Sequence, residues 1–292
     1  MTFKKISLGT AAFGMRYGIL NYKNGMESKE ISRILELSQD AGIEKIDTAF
    51  NYKNTHKLLG CCLPKNHRFK ITTKVSFVSY TENELLLLEK KIFSLIKSLR
   101  IDFLEAILLH QTNDIKNKNV LNWLIKLKQK GVTKKIGVSS YINELSKEIC
   151  IEDLDQIQVP ISCVDNRFLN NSINQMSYLN HFNYISARSI FLQGLLICER
   201  ENLPKFINSN DLKEIKKWQN KLKDFDIAPQ VYCISYLMNY KEISEIIVGI
   251  SSIQDIKELI KNKDKYKLNL INNIEPPILS DKLLDPRLWP KN

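Results

Sequence analysis

The feature that most constrains the fold of this chain is a regular alternation of two kinds of segment. Short runs rich in Ile, Val and Leu alternate with longer stretches whose apolar residues recur at helical spacing. Eight runs are predicted as strands, at residues 5–8, 45–47, 69–74, 104–109, 135–138, 156–159, 184–188 and 245–249. Helices are predicted at residues 28–41, 82–99 (with Thr81 as a favourable N-cap), 120–130, 211–224 and 253–261.

Strands that alternate with helices form a parallel sheet, and eight such units are the number that closes a (β/α)8 TIM barrel. The alternative is an open doubly wound sheet, which normally carries a G-x-G-x-x-G phosphate loop after its first strand. Here the first strand is followed by LGTAAFG, and the chain contains no G-x-G-x-x-G. We therefore expect a single α/β barrel domain over residues 1–292, with a tail at about residues 262–292 extended over the barrel.

Composition excludes several other classes of protein. The net charge is +11, but the lysines are dispersed along helix-like segments, which indicates solvated helix faces rather than a nucleic-acid site. Six cysteines without a C-x-x-C pair and four scattered histidines predict no metal site, no disulfide framework and a cytoplasmic location. Neither a signal peptide nor a membrane-spanning segment is indicated. The positive charge would attract an anionic ligand, such as a phosphate-bearing cofactor.

Polar side chains mark the ends of three consecutive predicted strands. The second strand ends at Asp47, the third ends at Lys74, and the fourth runs into His110. The active site of a TIM barrel lies at the carboxyl ends of its strands, so these three residues should converge at one rim. Tyr52 lies five residues after Asp47 and can be carried into the same cluster by its loop.

These four residues suggest proton transfer to a carbonyl oxygen. A tyrosine has a pKa of about 10, which a neighbouring ammonium lowers. Lys74 is the expected ammonium, Asp47 would hold it charged and oriented, and His110 would hydrogen-bond the substrate oxygen. The group contains no nucleophile and no electron source. Proton delivery of this kind is half of a carbonyl reduction, for which a cofactor must supply the hydride.

The segment DTAFNYKNTHKLLG resembles the aldo-keto reductase pattern D-T-A-x-x-Y-G-x-x-E-x-x-L-G, with Lys53 in place of Gly and His56 in place of Glu. Further segments resemble later parts of that family in the same order: ITTKV, IDFLEAILLHQ, KKIGVSSY, IQVPISCVDNRF, ARSIFLQGLL, IIVGISSIQDIKEL and, in a bacterial branch, LLDPRLWP. The resemblance implies a TIM barrel that reduces aldehydes or ketones with NAD(P)H.

The resemblance also implies roles for individual residues. Tyr52 would donate the proton, Lys74 and Asp47 would tune its pKa, and His110 would orient the carbonyl group. Nine residues match positions that contact the cofactor in the family: Ser139, Ser140, Gln158, Arg188, Ser189, Gly194, Gly249, Ser251 and Asp255.

Within this set, Ser139, Ser140 and Gln158 match positions that hold the nicotinamide carboxamide, with Gln156 as an alternative to Gln158. Arg188 replaces an aromatic residue that stacks on the nicotinamide ring, and a planar guanidinium can also stack. Residues 189–194 match the segment that approaches the pyrophosphate.

The adenosine end of the cofactor site is matched less closely. Family members that prefer NADPH have Arg or Lys two residues after the glycine of the last strand, then Gln and Asn. The corresponding residues here are Ser251, Asp255 and Leu259. NADP(H) is favoured by the resemblance, but Asp255 would repel a 2′-phosphate unless Lys257 or Lys261 compensates, so NAD(H) stays open.

The leading prediction is therefore an NAD(P)H-dependent reductase of a small carbonyl compound, such as a sugar. One alternative is a regulatory module that binds the cofactor with little turnover. Another is a Schiff-base lyase that uses Lys74, although Asp47 nearby should keep that lysine charged. The substrate pocket is expected to have walls from residues 113–119, residues 198–210 and the tail with Trp289. No oligomeric state is indicated.

Overall fold

A computed structural model describes residues 3–19, 24–141, 144, 152–167, 181–266 and 273–290. The eight strands are β1 (Ile6–Gly9), β2 (Lys45–Asp47), β3 (Lys70–Val75), β4 (Leu104–Leu109), β5 (Thr133–Ser139), β6 (Gln156–Pro160), β7 (Tyr184–Arg188) and β8 (Ile243–Gly249). Each strand pairs in parallel with the next, and β8 pairs with β1 to close the barrel. The predicted (β/α)8 architecture is confirmed.

Within the described residues the helices are α1 (Ala11–Gly14), α2 (Ser28–Asp40), α3 (Thr55–Cys62), α4 (Glu82–Leu99), α5 (Lys118–Gln129), α6 (Ser209–Asp224), α7 (Pro229–Met238), α8 (Ile253–Lys261) and α9 (Asp281–Leu284). All five predicted helices are present within two residues at each end. The N-cap predicted for α4 is also present, because the Thr81 side chain accepts a hydrogen bond from the Glu84 backbone N–H. The helices α1, α3, α7 and α9 were not among those predicted.

The barrel strands are buried on both faces, as parallel strands covered by helices must be. Helix α2 shows how the outer layer attaches: Ile31, Ile34 and Leu35 lie at helical spacing and are fully buried. The buried apolar residues form one contiguous cluster from barrel to helices. This cluster gives the strand ends a rigid support.

The register of the strands explains why polar side chains meet at the rim. Asp47 of β2 lies opposite Thr72 of β3, and Lys74 is two residues farther along β3. Residues two apart in a strand point to the same side of a sheet, so Asp47 and Lys74 both point into the barrel, one layer apart. The strand pattern therefore places a carboxylate directly below an ammonium group.

A glycine fixes the loop that carries Tyr52. A Cβ atom on Gly14, at the end of α1, would lie 2.5 Å from the Thr55 hydroxyl oxygen and 2.9 Å from the Tyr52 carbonyl oxygen. No side chain fits in that space. The close approach of α1 to the loop between β2 and α3 therefore requires glycine at this position.

The described part of the tail lies on the barrel, but it is partly helical rather than extended throughout. Residues 273–290 include α9 and a 3-10 turn at Pro286–Leu288. The Ser280 backbone N–H and hydroxyl both donate to the Asp211 carboxylate, at 2.9 and 2.6 Å. Residues 267–272 and 291–292 of the predicted tail lie outside the described residues.

The five described cysteines are free thiols, and Cys150 lies outside the described residues. No helix in the described part of the chain has the length and apolar character needed to cross a membrane. The same residues contain no group of three or more His, Cys, Asp or Glu side chains arranged to hold a metal ion.

Candidate active site

A cavity of about 580 Å³ lies where the strands of the barrel end. Six of the residues predicted for the site line it: Tyr52, Lys74, His110, Ser139, Gln158 and Arg188. Nine further residues complete the lining: Tyr17, Asn51, Gln111, Thr112, Asn113, Tyr141, Glu144, Gln193 and Arg287. A cavity of this volume is in the range of small-molecule sites.

A buried ion pair forms the floor of the cavity. The Lys74 ammonium donates to both carboxylate oxygens of Asp47, at 2.7 and 2.6 Å, and both side chains are almost completely buried. The Gln158 side-chain amide donates to the same carboxylate at 2.8 Å. The predicted contact between Asp47 and Lys74 is therefore present, and Gln158 of β6 ties it to the far side of the barrel.

Tyr52 and His110 lie above this pair. Their ring centroids are 6.2 Å apart with the planes nearly perpendicular, an edge-to-face contact. The Lys74 Nζ atom is 5.5 Å from the centroid of the Tyr52 ring. The four residues expected at one rim are thus brought together.

The electrostatic effect on Tyr52 differs from the one expected. Burial and, to a smaller extent, the Asp47 carboxylate raise the pKa of Tyr52, whereas Arg188 lowers it. The pKa of Tyr52 is raised rather than lowered as predicted, because burial outweighs the positive charge near the ring. Tyr52 therefore holds its proton at neutral pH.

His110 has the opposite behaviour. Burial, with the positive charges of Lys74 and Arg188, lowers the pKa of His110 from 6.5 to about 4. Its Nδ1 atom is buried without a hydrogen-bond partner among the described residues. The imidazole is therefore neutral at neutral pH and has a free nitrogen. Burial and Lys74 likewise lower the pKa of His56, which lies on α3 beside Thr73 of β3, to about 4.

Of the four residues considered for holding the nicotinamide carboxamide, two line the cavity and two do not. Ser139 and Gln158 both line the cavity, and the Ser139 hydroxyl donates to the Gln158 side-chain oxygen at 3.4 Å. Gln156 is bound elsewhere, since its amide donates to the Ser186 hydroxyl. Ser140 lies behind the lining, where its hydroxyl is 2.7 Å from that of Thr112.

Arg188 lines the cavity and contacts Ser189, the next residue of the predicted set. Ser189 has a φ of 55° and Gly194 a φ of 97°, both in the left-handed region. The backbone from Ser189 to Gly194 thus turns sharply at the end of β7, but neither of these two residues lines the cavity.

The residues predicted for the adenosine end lie outside this cavity, at the start of α8. The Asp255 carboxylate accepts hydrogen bonds from the Ser251 backbone N–H and from the hydroxyls of Ser251 and Ser252, each at 2.8 Å. It therefore occupies the positive N-terminus of this helix. Gly249 ends β8 just before this turn, and Leu259 is buried in the core.

Several lining residues were not predicted. The Arg287 guanidinium lies 3.5 Å from the centroid of the Tyr141 ring and forms ion pairs with Glu144 and Asp285. The only signal for Tyr141 and for Tyr17 was their position shortly after a strand. Two of the three segments expected to form the walls of the pocket do line the cavity: residues 113–119 through Asn113, and the tail through Arg287. Trp289 packs on Phe206 instead, and residues 198–210 do not line the cavity.

Comparison with known proteins identifies the family. The family model described as "Aldo/keto reductase family" matches residues 5–273. The chain belongs to the aldo/keto reductase family. Among curated protein sequences, none matches the chain.

Solved structures of other aldo-keto reductases share the fold. The holo form of an aldo-keto reductase from Bacillus halodurans has a TM-score of 0.69 and 17% identity, covering 96% of this chain and 95% of that one. A Klebsiella pneumoniae aldo-keto reductase in complex with NADPH has a TM-score of 0.66 and 17% identity, covering 94% and 92%. A second Klebsiella pneumoniae structure, with NADP and acetate, has a TM-score of 0.64 and 17% identity, covering 96% and 88%.

The buried ion pair predicts a large cost for removing one partner. Asp47→Asn or Lys74→Met alone should destabilise the protein by about 3–5 kcal/mol, because each leaves one buried charge unpaired. The double variant should cost less than the sum of the two, as measured by urea unfolding. As a control, Lys70→Met, which removes the exposed Lys70–Glu44 pair, should cost less than about 1 kcal/mol. Additive effects of the two buried substitutions would contradict the coupling.

The lowered pKa of His110 predicts a titration that NMR can follow. The His110 ring should stay neutral until the pH approaches about 4. Because the unfolded chain binds this proton near pH 6.5, its contribution to stability is complete above that pH and is lost between 6.5 and about 4. Lys74→Met should raise the pKa, and Lys213→Met, on the exposed face of α6, should not. Titration of His110 near 6.5 in the unmodified protein would contradict the arrangement.

Proposed function

We propose that this protein reduces an aldehyde or ketone to an alcohol, with NAD(P)H as hydride donor and Tyr52 as proton donor. The observation that carries the proposal is that Tyr52, His110 and the Lys74–Asp47 pair meet at one cavity where the barrel strands end. Family membership supports oxidoreductase chemistry. The reaction adds a hydride to the carbonyl carbon and a proton to the oxygen.

The residues at the cavity fit the nicotinamide end of such a cofactor. Gln158 and Ser139 offer an amide and a hydroxyl at the lining, and the buried Nε of Arg188 has no partner among the described residues. NADPH and NADP are named in the two Klebsiella pneumoniae structures. When bound, the dinucleotide supplies the hydride that the protein's own side chains lack.

The chain's own residues account for the proton. Because burial keeps Tyr52 protonated at neutral pH, it can give its proton to an oxygen on which negative charge develops. The resulting tyrosinate would lie beside the Lys74 ammonium. Neutral His110 can donate one N–H to the substrate oxygen and so orient the carbonyl group. The Lys74–Asp47 pair also argues against the Schiff-base alternative, which requires an uncharged lysine.

The polar lining supports a small hydroxylated substrate. Besides Gln158, four side-chain amides line the cavity, those of Asn51, Gln111, Asn113 and Gln193. Amides both donate and accept hydrogen bonds, as hydroxyl groups do. A sugar or sugar-derived carbonyl compound would match this wall. Because the tail supplies Arg287 to the lining, we also propose that barrel and tail act as one domain.

Replacement of Tyr52 tests the proton donor directly. Tyr52→Phe should lower turnover of a panel of aldehydes and ketones by about 10²–10⁴-fold, since it removes only the acidic hydroxyl. Turnover is followed by the absorbance of NADPH or NADH. Binding of either nucleotide, followed by tryptophan fluorescence, should stay unchanged. Tyr240→Phe, which removes a hydroxyl that donates to the Tyr236 hydroxyl near the end of α7, is the matched control. Nucleotide binding without turnover in the unmodified protein would favour the regulatory alternative.

The preference for NADPH or NADH depends on the charge at the adenosine end of the cofactor site. If the adenosine end lies at the start of α8, as the family resemblance implies, the Asp255 carboxylate would repel a 2′-phosphate. Asp255→Asn should then improve NADPH binding about fivefold relative to NADH, because it removes a like charge and keeps hydrogen-bonding groups. Glu258→Gln, one turn farther along α8, removes the same charge as a control. An unchanged NADPH to NADH ratio in Asp255→Asn would place the 2′-phosphate elsewhere.

A further inference from the structure

Arg188 is a cation in the cavity whose charge is not balanced locally. Its guanidinium makes two long contacts, 3.5 Å to the Ser189 hydroxyl and 3.4 Å to the Ser140 carbonyl oxygen. Its Nε atom is fully buried and has no hydrogen-bond partner among the described residues. Within those residues, no carboxylate lies at ion-pair distance from it. A half-buried guanidinium with unused donors is costly unless something pairs with it.

The other cations at the cavity are already paired. Lys74 is held by both oxygens of Asp47, and Arg287 pairs with Asp285 and Glu144. His110 is neutral at neutral pH. Among the described residues that line the cavity, Arg188 therefore carries the positive charge that a ligand can use.

The position of Arg188 is fixed by an aromatic contact. Its Cζ atom lies 4.5 Å from the centroid of the Tyr141 ring, against which Arg287 also packs. A cation–π contact of this kind uses a face of the guanidinium and leaves the N–H donors in its plane. A planar fork of N–H groups matches the two oxygens of a carboxylate, or of a phosphate, better than any neutral group.

This charge acts on the reacting residues. Arg188 lowers the pKa of both Tyr52 and His110, so it lies within electrostatic reach of the proton donor and of the residue that orients the carbonyl. A group bound to Arg188 would therefore share the cavity with the reacting carbonyl. The net charge of +11 on the chain would also draw anions toward the protein.

Resting on the proposed reductase function, we propose that the substrate is a carbonyl compound that carries an anionic group, carboxylate or phosphate, and that this group pairs with the Arg188 guanidinium. The amides of the lining would bind its hydroxyl groups. The negative group neutralises the unpaired guanidinium and positions the carbonyl near Tyr52. Neutral carbonyl compounds of the same shape would leave this donor group unsatisfied.

Matched substrate pairs test the proposal. The pairs are D-glucuronate with D-glucose, D-glyceraldehyde 3-phosphate with D-glyceraldehyde, and 4-carboxybenzaldehyde with 4-nitrobenzaldehyde. In the unmodified protein, kcat/KM should be at least tenfold higher for the anionic member of one or more pairs. Arg188→Met, which keeps the length and removes the charge, should lower kcat/KM for the anionic member by about 10–100-fold more than it lowers kcat/KM for the neutral member. Arg188→Lys should retain part of the preference.

Two controls isolate the pairing. Lys213→Met removes a charge from the exposed face of α6 and should leave every ratio unchanged. Nucleotide binding by Arg188→Met is measured by tryptophan fluorescence. If this variant weakens nucleotide binding and leaves the preference for anions intact, Arg188 serves the cofactor and the proposal is overturned. Equal loss for both members of each pair, or no preference in the unmodified protein, also overturns it.

A binding measurement separates this proposal from the function on which it rests. Calorimetry compares D-glucuronate and D-glyceraldehyde 3-phosphate with their neutral partners, in the unmodified protein and in Arg188→Met. If no carbonyl compound is reduced, the reductase function fails. Binding of the anions that depends on Arg188 would still support the anion site, whereas no such binding would overturn it.

Discussion

The buried pair of Lys74 and Asp47 is the interaction on which the site depends. Two opposite charges are withdrawn from water, and the cost is offset only because both carboxylate oxygens face the ammonium and Gln158 adds a third hydrogen bond. The pair joins β2 to β3, and Gln158 connects both to β6. The geometry above it is thereby anchored to three strands rather than to one loop.

The same pair decides how charge is distributed in the cavity. Burial and the Asp47 carboxylate together raise the pKa of Tyr52, so the phenol keeps its proton. The unbalanced positive charge then belongs to Arg188, one layer farther out, at the end of β7. In the proposed function the inner layer would serve proton transfer, while the outer layer has the chemistry to recognise a charged ligand.

The sequence predicted the parts of the structure in which apolar residues recur at strand or helix spacing. Eight apolar runs with helical stretches between them specified the barrel, and the strand ends specified Asp47, Lys74 and His110. Four helices were not predicted, and the two longest of them, α3 and α7, show the physical reasons. Helix α3 has only eight residues and contains Gly60, and α7 is buried on most of its surface, so neither shows a long amphipathic pattern in the sequence. The predicted direction of the pKa shift of Tyr52 was wrong, because the degree of burial cannot be read from the order of residues.

The residues of the outer wall of the cavity could not be predicted, because they do not recur at helix or strand spacing in the sequence. Tyr141, Glu144 and Arg287 come from a loop and from the tail, and they meet only through contacts between residues more than 140 positions apart. The positions of loop and tail side chains depend on contacts with residues far away in the sequence, and no local sequence pattern indicates them. Arg188 was noticed only because it stands where the related family has an aromatic residue.

Because the tail supplies Arg287 to the cavity, the range of ligands that such a protein binds can change in evolution through the tail. The tail follows the last strand in the chain, so the Arg287 side chain that faces Tyr141 lies on a segment separate from the eight strands. Barrel and wall are thus separable in the chain although they share one cavity. Recombination between related barrels at a point after α8 would exchange Arg287 while leaving Asp47, Tyr52, Lys74 and His110 untouched. Ligand range can therefore diversify through the tail without rebuilding the fold.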